Sequence, residues 1–290
     1  MKSVGLIGIG QMGMPMGKNL LGAGYDLTVY ARRVEALRPL QELGAKSVES
    51  PEFVSKNSEI ILLALPAPKD VSDIIFGNHG LASGLSSGKT VIDTSTIDPK
   101  SSKDIARRLN EVSVDFLDSP VSGGPEGAMK ASLTFMVGGR RETFKKCDEI
   151  FRVLGKNIFY MGDSGSGSAA KLVNQLLVAS NSLASAEAMQ LATALGLDSR
   201  QIIDVISTSA GDSFVFRRVS KKIAAKEFGE GWQTYLLEKD LMLLLKTSSD
   251  LGLPSITART SLDVFSKAVT EGLGKVDTAS VIKVLDEMKE

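Results

Sequence analysis

The feature that most constrains this chain lies near its start. An apolar run, Val4 to Ile7, leads directly into Gly8-Ile9-Gly10-Gln11-Met12-Gly13, and a helical pattern over 12–23 follows. In a strand-turn-helix unit each of these glycines does something different. The first makes the tight turn, the second lets another group approach the backbone, and the third lets the helix pack on the strand. The helix start then offers unpaired backbone N–H groups to an anion. The spacing by itself is an ordinary turn signal. Its placement between a strand and a helix marks a cradle for the pyrophosphate of a dinucleotide.

Beyond the loop, short β-branched runs alternate with helical patterns, which is the signature of strand-helix-strand units and a parallel sheet. Strands are expected at Val4–Ile7, Leu27–Tyr30, Ile60–Leu65, Thr90–Ile92, Val114–Leu117, Leu133–Val137 and Ile158–Tyr160, with helices around 12–23, 34–43, 69–76, 99–110 and 141–154. Most of these strands are continuously apolar, as central strands of a sheet covered on both faces should be. After Tyr160 the pattern changes. Met161 to Ser168 is a small, flexible stretch, and everything beyond it reads as helix: a long one from about 168 to 195 that ends at Gly196, then shorter ones near 199–208, 214–226, 233–251, 255–272 and 278–289. The expected fold class is therefore α/β. A Rossmann dinucleotide-binding domain with a mostly parallel, doubly wound sheet spans 1–163. An all-helical domain for substrate binding and oligomerisation spans 164–290 and opens with a long interdomain helix. A chain of 290 residues is long enough for two such cores.

Composition narrows the partners. The 34 Lys and Arg balance 34 Asp and Glu, so the long-range attraction of a nucleic-acid or anionic-membrane binder is missing. Ala169 to Leu195, the longest weakly polar stretch, carries Lys171, Asn174, Gln175, Asn181, Glu187 and Gln190, too many polar groups for a membrane span. Met1-Lys2-Ser3 leaves no room for a secretory signal, and a cytoplasmic protein is expected. One cysteine and one histidine cannot close an intrachain disulfide or build a structural zinc site, so no metal is expected. Cys147 reads as a partly buried, inert thiol in a helix, and His79 as a capping or surface residue.

A site that binds NAD usually has an acidic residue at the end of its second strand, hydrogen-bonded to the ribose 2′-hydroxyl. Here the segment is Val29-Tyr30-Ala31-Arg32-Arg33, with no acid. Two guanidiniums suit a 2′-phosphate, which favours NADP(H), with NAD(H) as the alternative. The competing interpretation of the arginines is a solvated helix start.

If the dinucleotide is a nicotinamide cofactor, hydride transfer from an alcohol needs a group to take the hydroxyl proton. Lys171 opens the long helix, and Asn174 and Gln175 follow at three and four positions, so all share a face. Desolvation among small apolar neighbours can make a lysine usable as an acid or base near neutrality. The bland alternative is a lysine that snorkels to solvent. Ser122-Gly123-Gly124, within Asp118 to Ala128, follows a strand and can present backbone N–H groups to an anion such as a small carboxylate substrate. An ordinary glycine-rich turn would look the same.

Taken together, Gly8 to Met16, Asp118 to Ala128, Gly165 to Gln175 and Lys239-Asp240 resemble the β-hydroxyacid dehydrogenase family over nearly the whole chain. The resemblance implies an NAD(P)-dependent oxidoreductase acting on a small β-hydroxy acid or its semialdehyde. It implies a carboxylate held by Ser122, Gly123 and Gly124, Lys171 as general acid/base and Asn174 positioning the substrate. It places Thr96 on the nicotinamide side, Leu65 and Pro66 beside a cofactor ribose, and Lys239 on the cofactor from the second domain. Many members have asparagine where this chain has Gln175, which falls in the substrate pocket. A homodimer or homotetramer is also implied. Ser207 to Phe216 and Asp277 to Ile282 look most like the threonate branch, whereas Arg32-Arg33 looks like the NADPH-dependent aldehyde-reductase branch, which acts on tartronate, glyoxylate or succinic semialdehyde. Four-carbon sugar acids are ranked first. Imine reductases and catalytically silent modules of the same fold are rivals, and Lys171 speaks against both. Tyr235 to Lys239, Gly162 to Gly165 and Ser168 to Lys171 spell fragments of other catalytic motifs without their supporting context.

Overall fold

The computed structural model describes residues Ser3 to Met288. Among them, strands β1 (Ser3–Ile7), β2 (Asp26–Tyr30), β3 (Lys46–Ser47), β4 (Ile60–Leu63), β5 (Thr90–Asp93), β6 (Asp115–Asp118), β7 (Val121–Ser122), β8 (Leu133–Gly139) and β9 (Gly155–Gly162) form one sheet. Its order is β3-β2-β1-β4-β5-β6-β8-β7, and β9 pairs with β8. The chain winds one way from β1 to β3 and then crosses back to lay β4 on the other side of β1. That reversal is the topological switch point, where open α/β sheets bind ligands beyond the carboxyl ends of their strands.

From β3 through β6 the pairing is parallel; β6 and β7 are both antiparallel to β8. Leu117 opposite Gly139 and Val121 opposite Phe135 belong to one continuous register, so β6 and β7 are two pieces of one line interrupted at Ser119-Pro120. Proline has no N–H to give the ladder, which accounts for the break. The central strands are apolar throughout because both faces are covered. Ile60 and Leu62 pack into one hydrophobic cluster, while Ile61 and Leu63 pack into another on the opposite face.

The helices of this part are α1 (Gly13–Gly22), α2 (Arg38–Gln41), α3 (Pro51–Asn57), α4 (Pro68–Phe76), α5 (Pro99–Asn110), α6 (Gly124–Met129), α7 (Arg141–Lys146) and α8 (Asp148–Leu154). Several sequence expectations need correction. The segment 34–43 is a 3₁₀ turn followed by the short α2, and 141–154 is two helices that break at Cys147. Cys147 is fully buried at that break, not partly buried inside a helix. The strands β3 and β7 and the helices α3 and α6 were not expected.

From the glycine-serine stretch onward come α9 (Ser166–Ala194), α10 (Ser199–Ile206), α11 (Phe214–Ala225), α12 (Thr234–Asp250), α13 (Ile256–Ala268) and α14 (Val281–Glu287). The helix expected over 278–289 begins as a 3₁₀ turn at Thr278–Ser280, and position 289 lies outside the described residues. The long helix ends as the sequence suggested: Gly196 has φ +72°, and the N–H of Leu197 reaches back to the carbonyl of Ala192.

The chain divides into two compact units, one up to Lys171 and one from Leu172, so the division falls inside α9. The second unit has its own core, in which Leu172, Ala179 and Leu183 of α9 meet Leu237, Leu241 and Leu244 of α12, Phe265 of α13 and Val281 of α14. Its loops converge on buried Asp277, which pairs with Arg218 and accepts from the N–H groups of Trp232 and Ala279. Among the described residues, no helix is long and apolar enough to cross a membrane.

Candidate active site

The phosphate loop follows from the sheet. Gly8 takes φ +97° at the end of β1, and a Cβ there would meet the backbone of Ala64 at 2.3 Å. Gly13 packs tighter still, since a Cβ on it would lie only 2.0 Å from the carbonyl oxygen of Gly8. Gly10 differs from both, because a Cβ there would find nothing within 4 Å. The side of the loop at Gly10 is thus open space, and no side chain caps the start of α1. Open space and uncapped N–H groups fit a pyrophosphate. Gly13→Ala is expected to cost about 2 kcal/mol of stability and to weaken dinucleotide binding at least about tenfold. Thermal melting with and without NADPH checks both effects.

Ala31 is half-buried, and Arg32 and Arg33 are exposed just past β2. Arg32 is paired with Asp70, in the first turn of α4, at 2.8 Å. Leu65 and Pro66 follow β4; the N–H of Leu65 donates to the hydroxyl of Ser95 at 2.9 Å, tying that loop to the one after β5. Thr96 is half-buried on the latter.

Lys171 is 8% exposed, and its Nζ donates to the carbonyl oxygen of Val121 at 2.8 Å. That carbonyl immediately precedes Ser122, so the ammonium lies beside the Ser122-Gly123-Gly124 stretch. Gly123 and Gly124 both have positive φ, +128° and +61°, and Gly124 opens α6. Ser122-Gly123-Gly124 is therefore a turn that runs into a helix start.

Asp118 holds this arrangement together. Its Oδ1 accepts from the N–H of Gly165 and its Oδ2 from the N–H of Ser168, both at 2.8 Å. One carboxylate thereby caps the first turn of the helix that carries Lys171. The hydroxyls of Ser102 and Ser168 meet at 2.7 Å on the same turn. The stretch read as a flexible hinge is consequently pinned: Gly165 is buried, and Gly138 and Gly167 leave no room for a Cβ beside Asp118. Burial pushes the Asp118 carboxyl above its ordinary value, against the opposing pull of its backbone and serine hydrogen bonds.

In the second unit, Asn174 Nδ2 donates to Gln175 Oε1 at 2.9 Å, and Gln175 Nε2 donates to Asp240 Oδ2 at 2.6 Å. Asp240 is buried, and its other oxygen pairs with Lys239 at 2.8 Å. Asn174, Gln175 and Lys239 are thus joined through one carboxylate. Two serines near 207–216 have local partners: Ser209 donates to the carbonyl of Val205, and Ser213 caps α11. His79 is exposed with φ +52°, and its ring lies 3.2 Å from Glu52. Of the residues that matter here, Asp70 and the roles of Asp118 and Asp240 were missed. Asp240, adjacent to Lys239, had the clearest signal.

The family model for the NAD binding domain of 6-phosphogluconate dehydrogenase matches residues 3–162. That for the NAD-binding of NADP-dependent 3-hydroxyisobutyrate dehydrogenase matches 165–285. The chain is 34% identical to 2-hydroxy-3-oxopropionate reductase of Escherichia coli, covering 98% of this chain and 97% of the relative. It is 35% identical to 2-(hydroxymethyl)glutarate dehydrogenase of Eubacterium barkeri, covering 98% and 95%. The crystal structure of a 3-hydroxyisobutyrate dehydrogenase from Salmonella typhimurium superposes with a TM-score of 0.89 at 28% identity, covering 98% of this chain and 100% of that one. With matches that run the length of both parts, the chain belongs to the β-hydroxyacid dehydrogenase family and is an NAD(P)-dependent oxidoreductase.

Proposed function

We propose that the chain transfers a hydride between NADP(H) and a small β-hydroxy acid or its semialdehyde, with Lys171 as the general acid/base. The observation that carries this is the buried Lys171 ammonium donating to the carbonyl of Val121, next to the Ser122-Gly123-Gly124 turn. When bound, the nicotinamide cofactor accepts or supplies the hydride. In oxidation, Lys171 Nζ in its neutral form takes the hydroxyl proton and becomes the ammonium; in reduction the ammonium returns that proton to the carbonyl oxygen. Ser122 and the N–H groups of Gly123 and Gly124 hold the substrate carboxylate, which fixes the reacting carbon near the lysine. Asn174 orients the hydroxyl, and Gln175, engaged at both ends of its amide, holds Asn174 in that orientation. Gly8 to Gly13 hold the pyrophosphate, with Leu65, Pro66 and Thr96 along the cofactor and Lys239 contributing from α12. Arg32, with Arg33 next to it, takes the 2′-phosphate.

For the substrate we keep four-carbon sugar acids of the threonate type ahead of the small aldehyde acids. Support for that order comes from the likeness of 207–216 and 277–282 to the threonate branch. A panel of β-hydroxy acids and semialdehydes, assayed with NADP(H) and NAD(H), tests the proposal. Turnover of none of them by protein that binds NADPH would overturn it. Ser122→Ala is expected to raise KM about tenfold with kcat changed less than about threefold, as removal of a binding contact should. Steady-state kinetics on the best substrate of the panel checks this.

A further inference from the structure

The ion pair of Arg32 with Asp70 spans the phosphate loop. Ile7, the last residue of β1, lies opposite Tyr30 at the end of β2 on one side and opposite Leu63 at the end of β4 on the other. Neighbouring strands lie about 4.8 Å apart, so roughly 10 Å separates the carboxyl ends of β2 and β4, with the Gly8 loop leaving between them. Arg32 stands just past β2, and Asp70 stands on α4, which follows β4. Their side chains meet across that gap at 2.8 Å. Asp70 is the more enclosed partner, 23% exposed in a helical turn, whereas Arg32 is 69% exposed.

We propose that Asp70 is a specificity-determining residue, whose carboxylate competes with the 2′-phosphate for Arg32 and so limits the preference for NADP(H) over NAD(H). The inference rests on Arg32 being the partner of the 2′-phosphate. Asp70 acts on both cofactors, with opposite sign. A phosphate dianion arriving at Arg32 must displace the carboxylate or sit beside it, and like charges at that separation repel. An unphosphorylated ribose can instead donate its 2′-hydroxyl to that carboxylate, the hydrogen bond that an acid after β2 supplies in other dinucleotide sites. The acid that is missing after β2 in the sequence is therefore brought there by α4.

The test measures dissociation constants of NADPH and NADH for wild type, Asp70→Asn, Arg32→Ala and the double variant, with melting temperatures to compare folding. Asp70→Asn keeps the shape and removes the charge. It should tighten NADPH about three- to tenfold and leave NADH unchanged or weaker. Arg32→Ala should weaken NADPH at least about tenfold with little effect on NADH, and should cancel the gain from Asp70→Asn in the double variant. If Arg32→Ala has this effect but Asp70→Asn leaves the preference for NADPH over NADH unchanged or weaker, Asp70 only orients the arginine and the inference alone falls. If Arg32→Ala leaves the ratio unchanged, Arg32 does not hold a 2′-phosphate, and both the cofactor preference proposed above and this inference fall.

Discussion

Lys171→Ala is expected to lower kcat and kcat/KM together by about a thousandfold while changing the dissociation constant of NADPH less than about twofold. General acid/base catalysis contributes about 10²–10⁴-fold, and the chain has no evident substitute for this group. Its one histidine is exposed beside Glu52, and its one cysteine is fully buried at the break between α7 and α8. The amides of Asn174 and Gln175 do not titrate. Lys171→Arg is the sharper control, since it keeps a positive charge near Val121 but cannot exchange a proton near neutrality. Both variants should be comparably inactive. Steady-state kinetics with a cofactor titration decides the matter: a loss confined to KM, or an active arginine variant, would make Lys171 a binding residue only.

What could be read from the sequence was local. The Gly8 to Gly13 spacing, the continuously apolar β4 and the glycine closing α9 each state their conformation within a few residues, and all are found in the fold. The elements that escaped were short or disguised. β3 is two exposed residues, Lys46 and Ser47, with no alternation to detect. α3 and α6 both begin with proline in the first turn, and that signal was available. At α6 the glycine pair Gly123-Gly124 is also a turn signal, and it masked the helix that Gly124 opens. The site residues that escaped depend on partners distant in sequence: 47 residues between Asp118 and Gly165, 38 between Arg32 and Asp70, and 65 between Gln175 and Asp240. In each case a carboxylate answers a donor that only the folded chain brings to it, and no periodicity records such a match.

Asp118 shows how far such a match reaches into function. Asp118→Ala is expected to cost about 3 kcal/mol, because it strips two charge-assisted bonds and leaves the N–H groups of Gly165 and Ser168 buried without an acceptor. These groups form the first turn of α9, so the loss should also displace Lys171, with kcat falling at least about tenfold and NADPH affinity unchanged. If the alanine variant fails to fold, Asp118→Asn keeps the question open, since it preserves the shape but turns an amide N–H against one of the two donors. Its pH dependence identifies the cause. Burial raises the folded-state pKa of Asp118 above the ordinary 3.8, so the folded chain holds this proton more tightly than the unfolded one. The stabilisation from this group is therefore fully present below 3.8 and declines as the pH rises through the raised value. Asparagine does not titrate, so the stability of wild type minus that of Asp118→Asn should shrink with rising pH above 3.8 and level off once Asp118 is ionised. Denaturant unfolding of both proteins across that range measures it. A difference that stays constant with pH would mean that the hydrogen bonds accepted by the carboxylate offset the effect of its burial.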